Sequence, residues 1–357
     1  MPIPPLYGHE GTRNRLAGAI ASGRLPQALL FEGPRGVGKQ RLALWLAQAL
    51  VCENPGQGPG RVKGEGCGEC RHCKMALNLA HPDVHWFVPL ELAKKGADAD
   101  KQVELVAEAL AEEMAERRER PLYEPPSGLA IHGIASVRLL LKRLALTPAL
   151  ARRKVFIVGE ADRLVPQTGT EAAANALLKA LEEPPADTVF VLTSAEPGGL
   201  LPTILSRVVR LRIARNADTI VALFAQRELG LSGQREVNQR VAAADGCVGR
   251  LFATSSGTDR GTAGAAQALL ESVQHGAARR YAAALRQQPF QARGAFTAML
   301  DGLLEELREQ ARAGRDTDKV VAAIAQVLDA REQAQGNVNP QLLAAVLADQ
   351  LAERGGA

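Results

Sequence analysis

The sequence predicts an α/β domain built on a parallel sheet, followed by an all-helical region, and three observations carry that expectation. Short apolar runs alternate with helical stretches over the first two hundred residues; a glycine-rich loop joins the first run to a helix; and no convincing buried run follows residue 213. Strands that alternate with helices pair in parallel, and helices then cover both faces of the sheet.

The strands come first. Ala28-Leu29-Leu30-Phe31 is bounded by Glu32-Gly33-Pro34, and Val84-His85-Trp86-Phe87-Val88 is a second run. Lys154 to Val158 and Thr188 to Thr193 are the third and fourth, each short enough to be a buried strand. Between them, Leu42, Trp45, Leu46, Ala49 and Leu50 recur at helical spacing over Lys39 to Val51. Ser136 to Leu146 reads as a helix, as does Glu171 to Glu183, which Pro184-Pro185 stops. Residues 53 to 66 are a loop rich in Gly and Pro. Residues 90 to 132 read as an insertion: Val103, Val106, Leu110 and Met114 stripe a charged helix, and the breaker-rich Pro121-Leu122-Tyr123-Glu124-Pro125-Pro126 follows. Near the end, Phe296, Leu300, Leu303, Leu304 and Leu307 form one stripe and Val320, Ile324, Val327 and Leu328 another. Asn339-Pro340 starts a last helix with a capping residue and a proline at the first helical position.

Composition narrows the classes. The chain has 357 residues, 46% of them hydrophobic and 23% charged, which suits a globular protein of two or three domains. A formal net charge of +4 is too small to argue for a dedicated nucleic-acid binder. The N-terminal residues lack the pattern of a signal peptide, and no apolar stretch has the length needed to cross a bilayer. A cytoplasmic setting is therefore expected, and five cysteines there point to metal or thiol chemistry more than to disulfides.

Gly33-Pro34-Arg35-Gly36-Val37-Gly38-Lys39-Gln40 has the spacing of a phosphate-binding loop in the right strand–loop–helix context. Gly33, Gly36 and Gly38 let backbone N–H groups curl around a phosphate, and Lys39 stands where the phosphate-contacting lysine belongs. The residue after that lysine should be Ser or Thr, whose hydroxyl ligates magnesium, and here it is Gln40. The strand Val155 to Val158 should be followed by the acids of the site. Gly159 stands at the first of those positions and Glu160 at the second, that of a water-activating glutamate. Two losses at the metal positions predict a degenerate site, with ATP or ADP binding doubtful and self-catalysed hydrolysis negligible.

Cys52, then Cys67-Gly68-Glu69-Cys70-Arg71-His72-Cys73, is the most specific chemistry in the chain. Two overlapping Cys-x-x-Cys turns share Cys70, and Cys52 completes a tetrahedral thiolate set for structural zinc. His72 is a candidate substitute ligand, but four cysteines already fill a structural site, and Cys247 stands alone as a small buried hydrophobe. A zinc knuckle that binds nucleic acid is a weaker alternative, because Arg61, Lys63, Arg71 and Lys74 are offset by Glu65 and Glu69.

A phosphate loop followed by a four-cysteine insert resembles the clamp-loader subunits of bacterial DNA polymerase III, of the AAA+ class. Three further stretches narrow the match: Ala172 to Pro185 is similar to that family's helix after the acidic strand, Leu201 to Val208 to its Ser-Arg-Cys motif with Val208 in place of the cysteine, and Asn337 to Leu342 to the start of its last collar helix. The resemblance implies an AAA+ domain over residues 1–212 with a zinc module at 52–73, a helical lid over 213–258 and a helical collar over 259–357. It implies partners too: tau or gamma and delta subunits in a hetero-pentamer, acting on a sliding clamp and primed DNA. Tau and gamma keep complete ATP sites, so the losses at Gln40 and Gly159 point to the stator-like member, with an ATP-hydrolysing motor subunit as the alternative. On that resemblance Arg207 is an arginine finger that acts on a neighbour's nucleotide, Thr193 stands at the sensor-1 position and Arg250 near the sensor-2 position.

Overall fold

The computed structural model describes residues 3–56, 62–91, 98–122, 130–164, 171–253, 258–287, 296–312, 317–334 and 338–355. Arg61, the end of the breaker run from Tyr123 to Pro126, and Asn337 lie outside them. Five strands form one sheet: β1 (Ala28–Glu32), β2 (Val84–Phe87), β3 (Lys154–Val158), β4 (Thr188–Ser194) and β5 (Val209–Arg212). Their order is β2-β3-β4-β1-β5, and every pairing is parallel. Strand β1 thus lies between β4 and β5, with Leu30 opposite both Leu192 and Arg210. The loop after β1 opens at the carboxyl edge of the sheet, where ligands of parallel α/β sheets bind.

Burial explains why three of these strands are legible. All the residues of β3 and β4 are buried, as are the first four of β1. Unbroken Val, Ile, Leu and Phe runs are the signature of strands covered on both faces. The sequence reading missed β5, and the reason is physical. It is an edge strand, Val-Arg-Leu-Arg, whose residues are all exposed or half-buried, so no apolar run marks it.

The stretch read as an insertion is tied into the domain. An antiparallel bridge between Leu90 and Ile131 pins its two ends together. Its helix, Ala99–Glu119, buries Val103, Val106 and Leu110 in the main core and packs on the helix Ile134–Leu144. Arg117 is buried too, its guanidinium 4.4 Å from the centre of the Trp86 ring.

The described residues divide into two compact units, the first ending at Phe252 and the second taking in those from Ala253 on. Within the first, the helices Asp218–Glu228 and Gln234–Ala244 have a small core of their own around Val221, Phe224, Val237 and Val241. In the second, helices including Thr297–Arg312, Thr317–Gln333 and Pro340–Gly355 enclose a core of Phe296, Leu300, Leu303, Leu304, Leu307, Val327 and Leu347. Leu328 departs from its expected stripe and is 46% exposed. At about 100° per residue it lies roughly 80° around the helix from Val320, past the edge of the buried face. The last helix starts as expected, with the Asn339 Oδ1 accepting from the Gln341 N–H at 2.8 Å. Among the described residues no helix is long and apolar enough to cross a membrane.

Candidate functional site

The glycine-rich loop sits between β1 and the helix Lys39–Val51, with Gly33, Gly36 and Gly38 all at positive φ (155°, 75° and 107°). Only glycine adopts such angles without strain. Other parts of the chain crowd each of them. A Cβ on Gly33 would meet the Ile213 carbonyl oxygen at 2.5 Å. The Gly249 N–H donates to the Gly36 carbonyl at 2.8 Å, and a Cβ on Gly249 would meet the Gly36 Cα at 2.6 Å. His9 covers the third position: its Nε2 lies 2.9 Å from the Val37 carbonyl, which fixes the proton there, and would lie 3.3 Å from a Cβ on Gly38.

Lys39 is turned into the loop. Its ammonium donates to the carbonyls of Gly33 at 2.7 Å and Pro34 at 2.8 Å. Burial pulls its pKa down to about 8, against the opposing pull of the Asp162 and Glu160 carboxylates. The two departures at the metal positions meet in space. A Cβ on Gly159 would stand 3.1 Å from the Gln40 Oε1 and 3.2 Å from its Nε2, so the carboxamide lies directly over the residue that has lost its side chain. Gln40 and Gly159 are thus two sides of one packing change. A side chain at 159 would require the Gln40 carboxamide to give way by a few tenths of an ångström.

Glu160 has a left-handed backbone, φ 49°, and a network holds it there. Its N–H donates to the Thr193 Oγ1 at 3.1 Å, and the preceding Gly159 carbonyl accepts from the His132 Nε2 at 2.7 Å. Thr193 is fully buried at the end of β4. The Glu160 carboxylate is engaged by Arg163 Nε at 2.8 Å and faces Arg35 at 3.8 Å. His132 is buried, and its pKa falls to about 4 because burial disfavours the imidazolium. Arg250 adjoins the loop through its backbone, and its Nη1 faces Asp245 at 3.8 Å.

Arg207 is elsewhere and half-buried. It follows the short helix Pro202–Leu205 and precedes β5. Its Nε and Nη2 lie 3.2 Å and 3.1 Å from the Glu182 Oε2, while Nη1 donates to the Thr203 carbonyl at 2.9 Å. Glu182 ends the helix Ala172–Glu182 that the sequence singled out, but its pairing with Arg207 was not anticipated. Nor were the contacts of His9 and Gly249, which nothing in local sequence signals.

The cysteines converge. Ligand atoms of Cys52, Cys67, Cys70 and Cys73 all lie within 4.8 Å of one another. The Cys52–Cys70 and Cys67–Cys73 sulfur pairs are 4.0 Å and 3.9 Å apart. Tetrahedral zinc with Zn–S bonds of about 2.3 Å needs sulfurs about 3.8 Å apart, so the set fits a metal ion. Backbone N–H groups of Cys67, Cys70 and Cys73 point at the sulfurs of Cys52, Cys67 and Cys70 in turn. Although burial resists ionisation, N–H donation from Cys70 and Glu69 brings the Cys67 thiol down to about 7. His72 turns away from the set, with its Nδ1 2.9 Å from His81 and its Nε2 3.1 Å from Glu53. Cys247 is fully buried and stands outside the cluster.

Residues 8–217 match the family described as "DNA polymerase III, delta subunit". The DNA polymerase III subunit delta' of Bacillus subtilis is 34% identical over 192 residues, 54% of this chain and 43% of that protein. That of Escherichia coli is 28% identical over 336 residues, 94% of this chain and 84% of that protein. A gamma/tau subunit of Mycobacterium tuberculosis is 31% identical over 227 residues, 62% of this chain and 31% of that protein. Most of these matches therefore span less than half of the relative's own length, and the Escherichia coli match spans most of it.

Proposed function

Because the chain belongs to the DNA polymerase III delta-subunit family, we propose that it is a delta-prime, stator-like subunit of a clamp loader. It would close a hetero-pentamer with tau or gamma and delta in the cytoplasm, and take part in loading the sliding clamp on primed DNA. Its three parts would be the AAA+ domain over 1–212, the lid over 213–258 and the oligomerising collar over 259–357.

The observation that carries this reading is the contrast between a phosphate loop packed by its own chain and the partly exposed arginine of a Ser-Arg step. The Gln40 carboxamide lies over Gly159, and Gly249 and His9 sit on the loop glycines, so magnesium-dependent chemistry at Lys39 has no support. Arg207, 29% exposed and held by Glu182 and Thr203, would meet a nucleotide on an adjacent tau or gamma subunit and stabilise charge at its γ-phosphate. Thr193 and Arg250 keep sensor-like places but serve packing. Four thiolates suit structural zinc, which through Cys52, Cys67, Cys70 and Cys73 would tie a poorly apolar loop to the domain.

Mixing the chain with tau or gamma and delta, then measuring complex formation and ATP hydrolysis, tests the reading. The expected result is assembly, with DNA-stimulated hydrolysis that the isolated chain lacks. Turnover by the isolated chain that Lys39→Ala abolishes would identify a motor subunit instead. For the metal, native mass spectrometry should find one zinc per chain, lost in Cys70→Ser; its retention there would exclude the four-thiolate site.

A further inference from the structure

Arg207 does not project alone. A single oxygen, the Glu182 Oε2, bridges Nε and Nη2 along one edge of the guanidinium at 3.2 Å and 3.1 Å. Nη1 is held from the other side by the Thr203 carbonyl at 2.9 Å, with the Ser206 Oγ at 3.3 Å. These contacts fix the plane of the group while the side chain keeps 29% of its surface exposed. The Glu182 carboxylate itself is 58% exposed, so the pair sits at the surface, where an ion pair adds little to stability. Fold stability therefore does not account for it. An arginine offered to a phosphate must instead be presented with its fork in one orientation, because the worth of a charge-stabilising group depends on its geometry before the reaction starts. Glu182 is suited to that task. It comes from the C-terminal end of the helix Ala172–Glu182, directly ahead of Glu183 and Pro184-Pro185, so its backbone position is set by the end of that helix.

We propose that Glu182 is a positioning residue for Arg207, orienting the guanidinium toward the nucleotide of the neighbouring subunit. The proposal rests on the reading of Arg207 as a finger acting in trans. Glu182 touches no phosphate in this scheme. It holds the Nε/Nη2 edge, and with Nη1 given to Thr203 and Ser206 one N–H of Nη2 is left for a phosphate.

The test is steady-state ATP hydrolysis by the reconstituted loader with tau or gamma and delta, assembled with wild type, Glu182→Ala, Glu182→Gln, Arg207→Ala and the double variant. Glu182→Ala is expected to lower kcat about tenfold to a hundredfold, the scale of a misplaced catalytic group, with KM for ATP and complex formation unchanged. Glu182→Gln keeps an accepting oxygen and should restore part of the rate. The double variant should be no slower than Arg207→Ala alone, because both changes remove one unit. A wild-type rate for Glu182→Ala beside a slow Arg207→Ala would overturn the positioning role and leave the finger standing. Additive losses in the double variant would also overturn it, since Glu182 would then act by another route. An unchanged rate for Arg207→Ala would remove the finger itself, and the inference with it.

Discussion

The glycine-rich loop and the Arg207 edge lie in the same compact unit but are built in opposite ways. The loop has a lysine and three glycines of a phosphate cradle, yet its surroundings are protein: Gly249 on Gly36, His9 beside Gly38, and Gln40 over Gly159. Arg207 has none of the loop's packing. It is held by one exposed carboxylate, one carbonyl and one hydroxyl, and it keeps 29% of its side chain exposed. The difference teaches that a motif's residues and a motif's chemistry separate easily. Glycines that would admit a ligand also admit a neighbouring backbone, as Gly36 admits Gly249.

Several substitutions would sharpen or break that contrast. The largest effect is expected from Arg207→Ala in a reconstituted loader. Removing an arginine finger costs on the order of 10³-fold in hydrolysis, so stimulated turnover should fall to near the background while the complex still assembles. Gly249→Val should act on stability instead. A side chain there meets the Gly36 Cα, and overpacking of this kind costs about 1–3 kcal/mol, visible as a lower thermal midpoint of the first unit. Acid should act more mildly. Burial lowers the His132 pKa to about 4 and the His85 pKa to about 4, and it also lowers those of His9 and His81, so these rings stay neutral in the fold. The unfolded chain takes up their protons first, near pH 6.5, so their contribution is present above about 6.5 and is lost as the pH falls toward 4. Thermal midpoints measured down that range should drop, and less so in His132→Gln.

How much of this was legible from sequence depended on whether the signal was local. The runs Ala28 to Phe31, Lys154 to Val158 and Thr188 to Thr193 announced strands because they are buried on both faces. Strand β5 gave no such signal, as its Arg210 and Arg212 are exposed at a sheet edge. The four cysteines were readable because their spacing is short and their chemistry is narrow. Gln40 and Gly159 could each be read as a departure, but their mutual contact could not, since more than a hundred residues separate them. Gly249 on Gly36 is likewise distant in sequence, and His9 on Val37, 28 residues apart, is also brought together only by the fold. Glu182 stood inside a stretch already singled out, Ala172 to Pro185, yet only the position of Arg207 gave it a partner.

The most direct test of the contrast is to set Lys39→Ala beside Arg207→Ala in the same reconstituted loader and compare DNA-stimulated ATP hydrolysis. If the chain's own loop is structural and its arginine serves a neighbour, Lys39→Ala should stay within about twofold of wild type while Arg207→Ala falls by orders of magnitude. The reverse pattern, a severe loss with Lys39→Ala and a wild-type rate with Arg207→Ala, would contradict the account.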